Sequence, residues 1–187
     1  GMLMKVDGLR HSISDARSLL PSAPVIYMSP QGELLTHKLV AELAQLQELI
    51  LVCGRYEGID ERIIEQDIDR EISLGDFVLS GGEPAAIAIL DAVGRLVPGV
   101  LGDSTSTLCE SFSDGVLDCP HYTRPREFLG NRVPDVLLSG HHELIAKWRR
   151  KQALGRTWSR RPELLKKLIL SKLDMELLRE FIRETKQ

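Results

Sequence analysis

The chain has 187 residues, of which 43% are hydrophobic and 27% charged, an ordinary composition for a globular protein with room for one large domain or two small ones. None of its apolar runs approaches the roughly 20 residues of a membrane-spanning helix, so the sequence predicts no membrane partner. Its three cysteines, Cys53, Cys109 and Cys119, form no CxxC pair. Reduced thiols and a cytoplasmic location are therefore expected rather than a disulfide framework.

Charge is distributed unevenly along the chain. Residues 1–102 hold 8 Lys and Arg against 15 Asp and Glu, a net charge of -7, whereas residues 103–187 have a net charge of +4. The overall charge of -3 argues against a general nucleic-acid-binding protein. The basic half is nevertheless where a phosphate-rich partner would make its first contact.

The first half alternates strand-like and helix-like segments, which predicts an α/β domain. Short apolar, β-branched runs indicate strands, and apolar residues three to four positions apart indicate amphipathic helices. The predicted strands are 24–28, 49–53 and 77–79, and the predicted helices are 34–49, 59–67 and 83–96. Pro84 suits the first turn of the last of these helices.

Two of these strands run into glycine-containing loops, GRYEG at 54–58 and SGG at 80–82. For a single glycine, a simple turn is the ordinary explanation. Here both loops also carry polar side chains between apolar walls, at the carboxyl edge of a sheet, where α/β folds bind ligands. The stretch from 49 to 83 therefore predicts a cofactor site. The lack of a GxGxxG motif argues against a nicotinamide or flavin cofactor.

The second half begins with a Ser/Thr-rich segment at 101–113, which is predicted to be a flexible linker. Beyond it, residues 140–154 and 161–186 are predicted helices, with a turn around Gly155 between them. The segment KWRRKQALGRTWSRR at 147–161 has seven basic residues, two tryptophans and no acidic residue. Its tryptophans are expected in the core, and its cations are expected to contact an RNA backbone.

The segment DCPHYTRP at 118–125 places polar and reactive side chains between two prolines. A thiol and an imidazole two positions apart make a weak zinc signal, so no metal site is predicted. A rigid loop of this kind suits stacking and phosphate contact with a nucleotide. The predicted RNA-binding residues are Asp118, His121, Tyr122, Arg124, Arg149, Arg150 and Arg160.

Five segments, GRYEGIDER, SLGDFVLSGGE, VPGVLG, LDCPHYTRP and LGRTWSRRPELL, occur in the order and at the spacing of a known family. Through them the chain resembles the bacterial tRNA (guanine-N1)-methyltransferases from residue 1 to about residue 184. The resemblance implies an α/β fold: a trefoil-knotted parallel-sheet domain at 1–102 that binds S-adenosylmethionine, a linker at 103–113 and a small helical tRNA-binding domain at 114–187. It also implies that the family's N-terminal segment is missing here.

The resemblance further implies where the cofactor binds. Three loops hold a bent S-adenosylmethionine in the family, and they correspond to residues 27–32, 54–58 and 74–82. The implied cofactor residues are Tyr27, Met28, Ser29, Pro30, Gly54, Tyr56, Glu57, Gly58, Leu74, Gly75, Asp76, Phe77, Val78, Leu79, Gly81 and Gly82. A homodimer with each active site at the subunit interface, and a requirement for magnesium, are also implied.

The implied reaction is methylation of the position-1 nitrogen of the guanine 3′-adjacent to the anticodon in tRNA. Arg95 corresponds to an arginine that faces this guanine, where it would stabilise charge on the exocyclic oxygen. Glu110 stands in place of the aspartate that precedes the family's Ser-Phe pair and is the expected general base, with Asp114 and Asp118 as rivals. The alternative function is a non-catalytic RNA-binding module, and a dinucleotide-dependent oxidoreductase ranks lower.

Overall fold

In a computed structural model of the chain, which describes residues 2–100 and 110–186, the backbone forms two units, Gly1–Ser104 and Thr105–Gln187. The division falls inside the predicted linker at 103–113. Of that linker only residues 110–113 are described, and the remainder lies outside the described residues. Among the described residues, no helix combines the length and the apolar character needed to cross a membrane.

The first unit contains a parallel three-stranded sheet with the strand order β2-β1-β3. Its elements in chain order are α1 (Val6–Leu19), β1 (Val25–Leu34), α2 (His37–Leu43), β2 (Ile50–Cys53), α3 (Glu61–Asp67), β3 (Arg70–Ser73) and α4 (Glu83–Gly94). In register, Val25 lies beside Ile50, and Ile26 lies beside Arg70. The predicted α/β class with a parallel sheet is therefore confirmed.

The first half of the central strand β1, residues 25–29, is buried on both faces of the sheet. Successive side chains of a strand point to opposite faces, so its neighbours differ from one residue to the next. Ile26 and Met28 pack with residues of α2 and α4, whereas Val25 and Tyr27 pack with residues of α1 and α3. A strand covered on both faces reads as a continuous apolar run rather than an alternating one. This explains why the sequence indicated it clearly.

The predicted strand at 77–79 is wrong. Phe77 and Val78 are 54% and 84% exposed, and they lie in the loop between β3 and α4. The third strand is instead β3, which was not predicted because its sequence, REIS, has no continuous apolar run. Its Arg70 forms ion pairs with Glu33 and Glu42, both at 2.5 Å, so charge at this edge of the described sheet is neutralised by partners distant in sequence.

The second unit is mainly helical. Its described elements are β4 (Glu127–Phe128), β5 (Asn131–Arg132), α5 (Asp135–Leu138), α6 (His142–Arg160), α7 (Pro162–Leu165) and α8 (Lys172–Thr185). The strands form a short antiparallel hairpin. A core of Val116, Cys119, Ala153, Leu154 and Leu177 ties the segment before the hairpin to α6 and α8.

The predicted turn around Gly155 is also wrong, because α6 continues through this residue to Arg160. Gly155 is buried, and a Cβ atom there would lie 2.3 Å from the ring of Phe181 in α8. The glycine thus permits a close helix crossing rather than a turn. The predicted helix at 161–186 is likewise divided into the short α7 and the longer α8.

Candidate functional sites

Fifteen of the sixteen residues predicted to bind a cofactor line one cavity of about 400 Å³ in the first unit. The exception is Asp76, although both of its neighbours in sequence line the cavity. Residues 27–31, 54–59 and 71–75 supply much of the wall, so the cavity lies at the carboxyl ends of β2 and β3 and beside the middle of β1, where the pairing with β3 is irregular between Met28 and Glu33. This is the edge at which parallel sheets bind ligands.

Other lining residues were not singled out by the sequence, among them Arg55, Glu61 and Glu71. Arg55 lies within the GRYEG loop, between two residues that were predicted, so its position was an available signal. Glu61 and Glu71 belong to α3 and β3. Their approach to the cavity depends on how these elements pack, which the local sequence does not reveal.

The glycine loops that line this cavity are connected directly. Arg55 and Gly81 form an antiparallel backbone bridge, and the Gly82 N–H donates to the Gly54 carbonyl oxygen at 2.9 Å. The Arg55 side chain also donates from Nε to Oε1 of Glu83 at 2.8 Å. The two loops are therefore held together by contacts of the protein itself.

The cavity has a predominantly acidic lining, since Glu57, Glu61 and Glu71 contribute to it and the Arg55 guanidinium is paired with Glu83. Burial, and to a lesser extent the charge of Glu71, raises the pKa of Tyr27 above its ordinary value. Its hydroxyl therefore stays protonated at neutral pH. Such a lining favours a ligand that carries positive charge.

Arg95 lies immediately after α4, as predicted, and its N–H donates to the Asp91 carbonyl oxygen at 3.1 Å. Its side chain is exposed and is not among the lining residues of the cavity. The start of α4 does line the cavity, through Gly82 and Ala85. A 12-residue helix is about 18 Å long, so Arg95 is separated from that start by most of the helix length.

Glu110 belongs to a compact turn in the second unit. Its carbonyl oxygen accepts hydrogen bonds from Ser113, at 3.3 Å from the backbone N–H and 2.7 Å from the hydroxyl. Phe112, which follows, has a φ of 76°, a left-handed conformation uncommon for a residue other than glycine. Residues 110–113, the end of the predicted linker, thus form a hydrogen-bonded turn.

Both rival carboxylates have strong partners in the same unit. Asp114 forms an ion pair with Arg150, and its Oδ1 accepts from the Val116 N–H at 3.3 Å. Asp118 Oδ2 lies 2.7 Å from His121 Nε2. Partial burial raises the pKa of Asp118, but hydrogen bonds from His121 and from the Cys119 backbone outweigh this and leave it below its ordinary value. A carboxylate with a lowered pKa is a weaker base, so Asp118 is a poor proton acceptor at neutral pH.

The possible ligand atoms of Asp118, Cys119 and His121 all lie within 4.8 Å of one another. The buried Cys119 thiol packs in the apolar core of this unit, and burial, followed by the charge of Asp118, raises its pKa. The carboxylate and imidazole are hydrogen-bonded to each other. These contacts account for the cluster as part of the folded unit, and the absence of a metal stays a prediction.

A second cavity, of about 990 Å³, lies in the second unit between the 120–126 loop, α5 and α6. His121, Tyr122, Arg124 and Arg149 line it, so four of the predicted RNA-binding residues share one surface. Arg126, one position beyond the segment that was singled out, also lines it. Cations surround an apolar floor that includes Val133, Leu137 and Ile145.

The remaining predicted RNA-binding residues, Arg150 and Arg160, do not line this cavity. Arg150 forms ion pairs with Asp114 and, at 2.7 Å, with Asp174 of α8. Arg160 is exposed at the end of α6. The basic segment therefore mixes exposed cations with cations engaged inside the unit.

The prediction that the tryptophans are core residues is wrong. Trp148 is only partly buried and Trp158 is 37% exposed. The Trp148 ring lies 6.4 Å from that of Tyr122, centroid to centroid, with the planes tilted by 52°. An aromatic pair thus connects α6 to the loop that lines the second cavity.

Known proteins that share one name match this chain over nearly its whole length. A relative from Chromobacterium violaceum named tRNA (guanine-N(1)-)-methyltransferase is 56% identical over 189 residues, covering 98% of this chain and 74% of the relative. Relatives of the same name from a Marinomonas species and from Aliivibrio fischeri are 59% and 57% identical, covering 99% and 100% of this chain and 74% and 76% of their own lengths. The family model described as tRNA (Guanine-1)-methyltransferase TrmD matches residues 1–167, and the chain belongs to this family.

Proposed function

We propose that this protein transfers the methyl group of S-adenosylmethionine to the position-1 nitrogen of the guanine 3′-adjacent to the anticodon in tRNA. The relatives' names supply the enzyme class, the substrate class and the modified atom. The observation that carries the proposal is the cavity in the first unit, which is lined by fifteen of the sixteen residues that the resemblance implies for the cofactor. The guanine's place beside the anticodon rests on the resemblance.

The first cavity fits S-adenosylmethionine in size and charge. Its volume of about 400 Å³ lies within the usual range of small-molecule pockets. S-adenosylmethionine carries a sulfonium and an ammonium group against one carboxylate, and Glu57, Glu61 and Glu71 supply an acidic lining for that positive charge. Apolar side chains such as Leu74 and Leu79 and the peptide groups of the glycine loop would hold the adenine.

When bound, this cofactor supplies an activated methyl group, so the protein's own task is placement and proton removal. The linked loops at 54–58 and 80–82 would orient the methyl group. We assign the removal of the guanine ring proton to the Glu110 carboxylate. The assignment rests on the place of Glu110 in the sequence, immediately before Ser111 and Phe112, where the resemblance implies the family's aspartate.

We also propose a homodimer in which each active site draws residues from both subunits. Support comes from α4, which exposes Ile87 and Leu90, one turn apart, at 66% and 56% and is followed by the exposed Val97. Exposed apolar side chains on one helix face suit burial against a second subunit. The separation of Arg95 from the cavity along α4 also favours a site completed by a partner. The trefoil knot remains a proposal based on the resemblance.

The second unit is proposed to hold the tRNA. His121, Tyr122, Arg124 and Arg149 share one cavity surface, and the exposed Arg160 adds charge at the end of α6. Arginine and aromatic side chains together suit phosphate contact and base stacking. Asp118 would act here through His121, to which it is hydrogen-bonded.

The test is methyl transfer from labelled S-adenosylmethionine to tRNA transcripts that carry either guanine or adenine 3′ of the anticodon. Label should enter only the guanine transcript, as 1-methylguanine. Calorimetry with S-adenosylmethionine alone separates the alternative function, because a non-catalytic RNA-binding module would bind tRNA without binding the cofactor. Repeating the assay with and without magnesium tests the metal requirement that the resemblance implies.

A further inference from the structure

The contact between Arg55 and Glu83 joins two segments of the first cavity through their side chains. Arg55 belongs to the loop at 54–58, and Glu83 is the first residue of α4. Their ion pair, at 2.8 Å, lies beside the backbone bridge between Arg55 and Gly81. The side chains thus reinforce a junction that the backbone already makes.

The next residue, Tyr56, has a strained backbone. Its φ is 63°, in the left-handed region that favours glycine. The Gly58 N–H donates to the Arg55 carbonyl oxygen at 3.2 Å and closes a tight turn around it. Strain of this kind persists where the surrounding contacts hold it, and it is frequent in binding sites. Arg55 is the flanking residue that anchors this turn to α4.

Exposure argues against a role for the pair in general stability. The side chains of Arg55 and Glu83 are 55% and 44% exposed, and exposed ion pairs contribute little to the free energy of unfolding. Arg55 nevertheless lines the cavity that is proposed to bind S-adenosylmethionine, and Glu83 directly follows the lining residue Gly82. We propose that the Arg55–Glu83 ion pair is a positioning device: it holds the strained turn at Tyr56 against the start of α4 in the conformation that the cofactor requires.

Gly81 fits the same arrangement. A Cβ atom at this position would lie 2.4 Å from Glu83 Oε2 and 3.1 Å from Arg55 Nε. A methyl group there would displace the exposed ends of these two side chains. Gly81 thus lies directly against the ion pair.

The inference rests on the proposed cofactor site and is tested by a double-mutant cycle of Arg55→Met and Glu83→Gln in this chain. The affinity for S-adenosylmethionine is measured by calorimetry. Each single variant should weaken binding by about tenfold, and the double variant should be no weaker than either single one, because both changes remove the same contact. If Arg55 contacts the ligand directly, Arg55→Met alone will weaken binding and Glu83→Gln will not, which overturns the inference.

A second measurement does not depend on the cofactor. Without ligand, hydrogen exchange at the amides of residues 57 and 58 should be faster in both single variants and in the double variant, while the melting temperature stays close to that of the parent. Unchanged exchange would overturn the inference. If the parent chain binds no S-adenosylmethionine, the proposed function is refuted. The exchange measurement would still show whether the Arg55–Glu83 pair holds the turn at Tyr56.

The matched control is Arg62→Met. Arg62 forms an exposed ion pair with Asp60, also at 2.8 Å, in the same unit, but its side chain does not line the cavity. It should leave both cofactor affinity and exchange at residues 57 and 58 unchanged. Effects as large as those of Arg55→Met would mean that the response is a general one to lost surface charge.

Discussion

The two alternative general bases, Asp114 and Asp118, both have carboxylates that contact other groups of the second unit. Asp114 bonds to Arg150 and to the Val116 N–H, and Asp118 bonds to His121. A general base works best when its pKa lies near the working pH, and the lowered pKa of Asp118 moves that group away from it. The assignment to Glu110 rests on its position before Ser111 and Phe112, although its side chain is one methylene longer than that of the family's aspartate.

We predict that Glu110→Gln abolishes most methyl transfer while cofactor binding is retained. Glutamine keeps the size of the side chain but cannot accept the proton, and general bases typically contribute on the order of 10² to 10⁴ in rate. Single-turnover methylation of tRNA measures this directly. Asp118→Asn is the comparison, and near-parental rates for Glu110→Gln together with a loss in Asp118→Asn would move the assignment to Asp118.

Single residues were predictable where their neighbours in sequence carry the signal. The glycine loops at 54–58 and 80–82 were found because strand, glycine and polar residue follow one another locally. The partners of Arg150 were not predictable, because Asp174 lies 24 residues away in sequence, on α8, and Asp114 lies 36 residues away. A basic segment without acidic residues can still be neutralised by the helix packed against it. Lys151, which bonds to Glu180 and Glu184, shows the same effect.

Among the secondary-structure elements, those with a continuous or periodic apolar pattern were the most predictable. Strand β2, at Ile50–Cys53, and helix α4, at Glu83–Gly94, lie close to their predicted bounds. Strand β3 was missed because Arg70 and Glu71 interrupt its apolar character. The predicted helix that corresponds to α6 ended too early, at residue 154, because glycine is the usual signal for a helix end. Only the approach of Phe181 from α8 explains why a helix continues through Gly155.

The crossing of α6 and α8 yields a prediction for stability. Gly155→Ala should destabilise the second unit by about 1–3 kcal/mol, because the added methyl group would overlap the ring of Phe181. Both tryptophans of the chain, Trp148 and Trp158, lie in α6, so the denaturant transition followed by tryptophan fluorescence reports on this unit.

Gly8→Ala is the control for this prediction. Gly8 lies inside α1, and a Cβ atom there would have no neighbour within 4 Å. Alanine is favoured over glycine in a helix by about 1 kcal/mol, so this change should stabilise the first unit and leave the tryptophan transition in place. If Gly155→Ala unfolds at the same denaturant concentration as the parent, α8 can move away from the added methyl group without loss of stability.

For the whole molecule, the charge imbalance in the sequence corresponds to the division into two units. The acidic half contains the first cavity with its glutamate lining, and the basic half contains the second cavity with its arginines. The change in charge and composition near residue 102 is the sequence signal on which the predicted domain boundary rests. A trefoil knot and a dimer interface depend on the path of the backbone and on a second subunit, and periodicity and composition carry no signal for either.

The proposed division of labour predicts that Arg149→Glu combined with Arg160→Glu weakens tRNA binding and leaves S-adenosylmethionine affinity unchanged. Both side chains are exposed, so reversal should cost contacts to phosphate rather than stability. Each lost phosphate contact reduces the magnitude of the slope of log affinity against log salt concentration by about 1. The slope of the double variant should therefore be smaller in magnitude by about 2. Arg150 is left intact because its reversal would break the pairs with Asp114 and Asp174.

The matched control for this pair is Lys5→Glu combined with Lys38→Glu, which changes the net charge equally but lies in the first unit on exposed positions. Filter binding of tRNA over a range of salt concentrations measures both pairs. If tRNA affinity falls because specific arginines contact phosphates, only the second-unit variant should lose slope. Equal losses in the two variants would mean that tRNA responds to total charge, and a parental slope in the Arg149 and Arg160 variant would show that these cations are simply solvated.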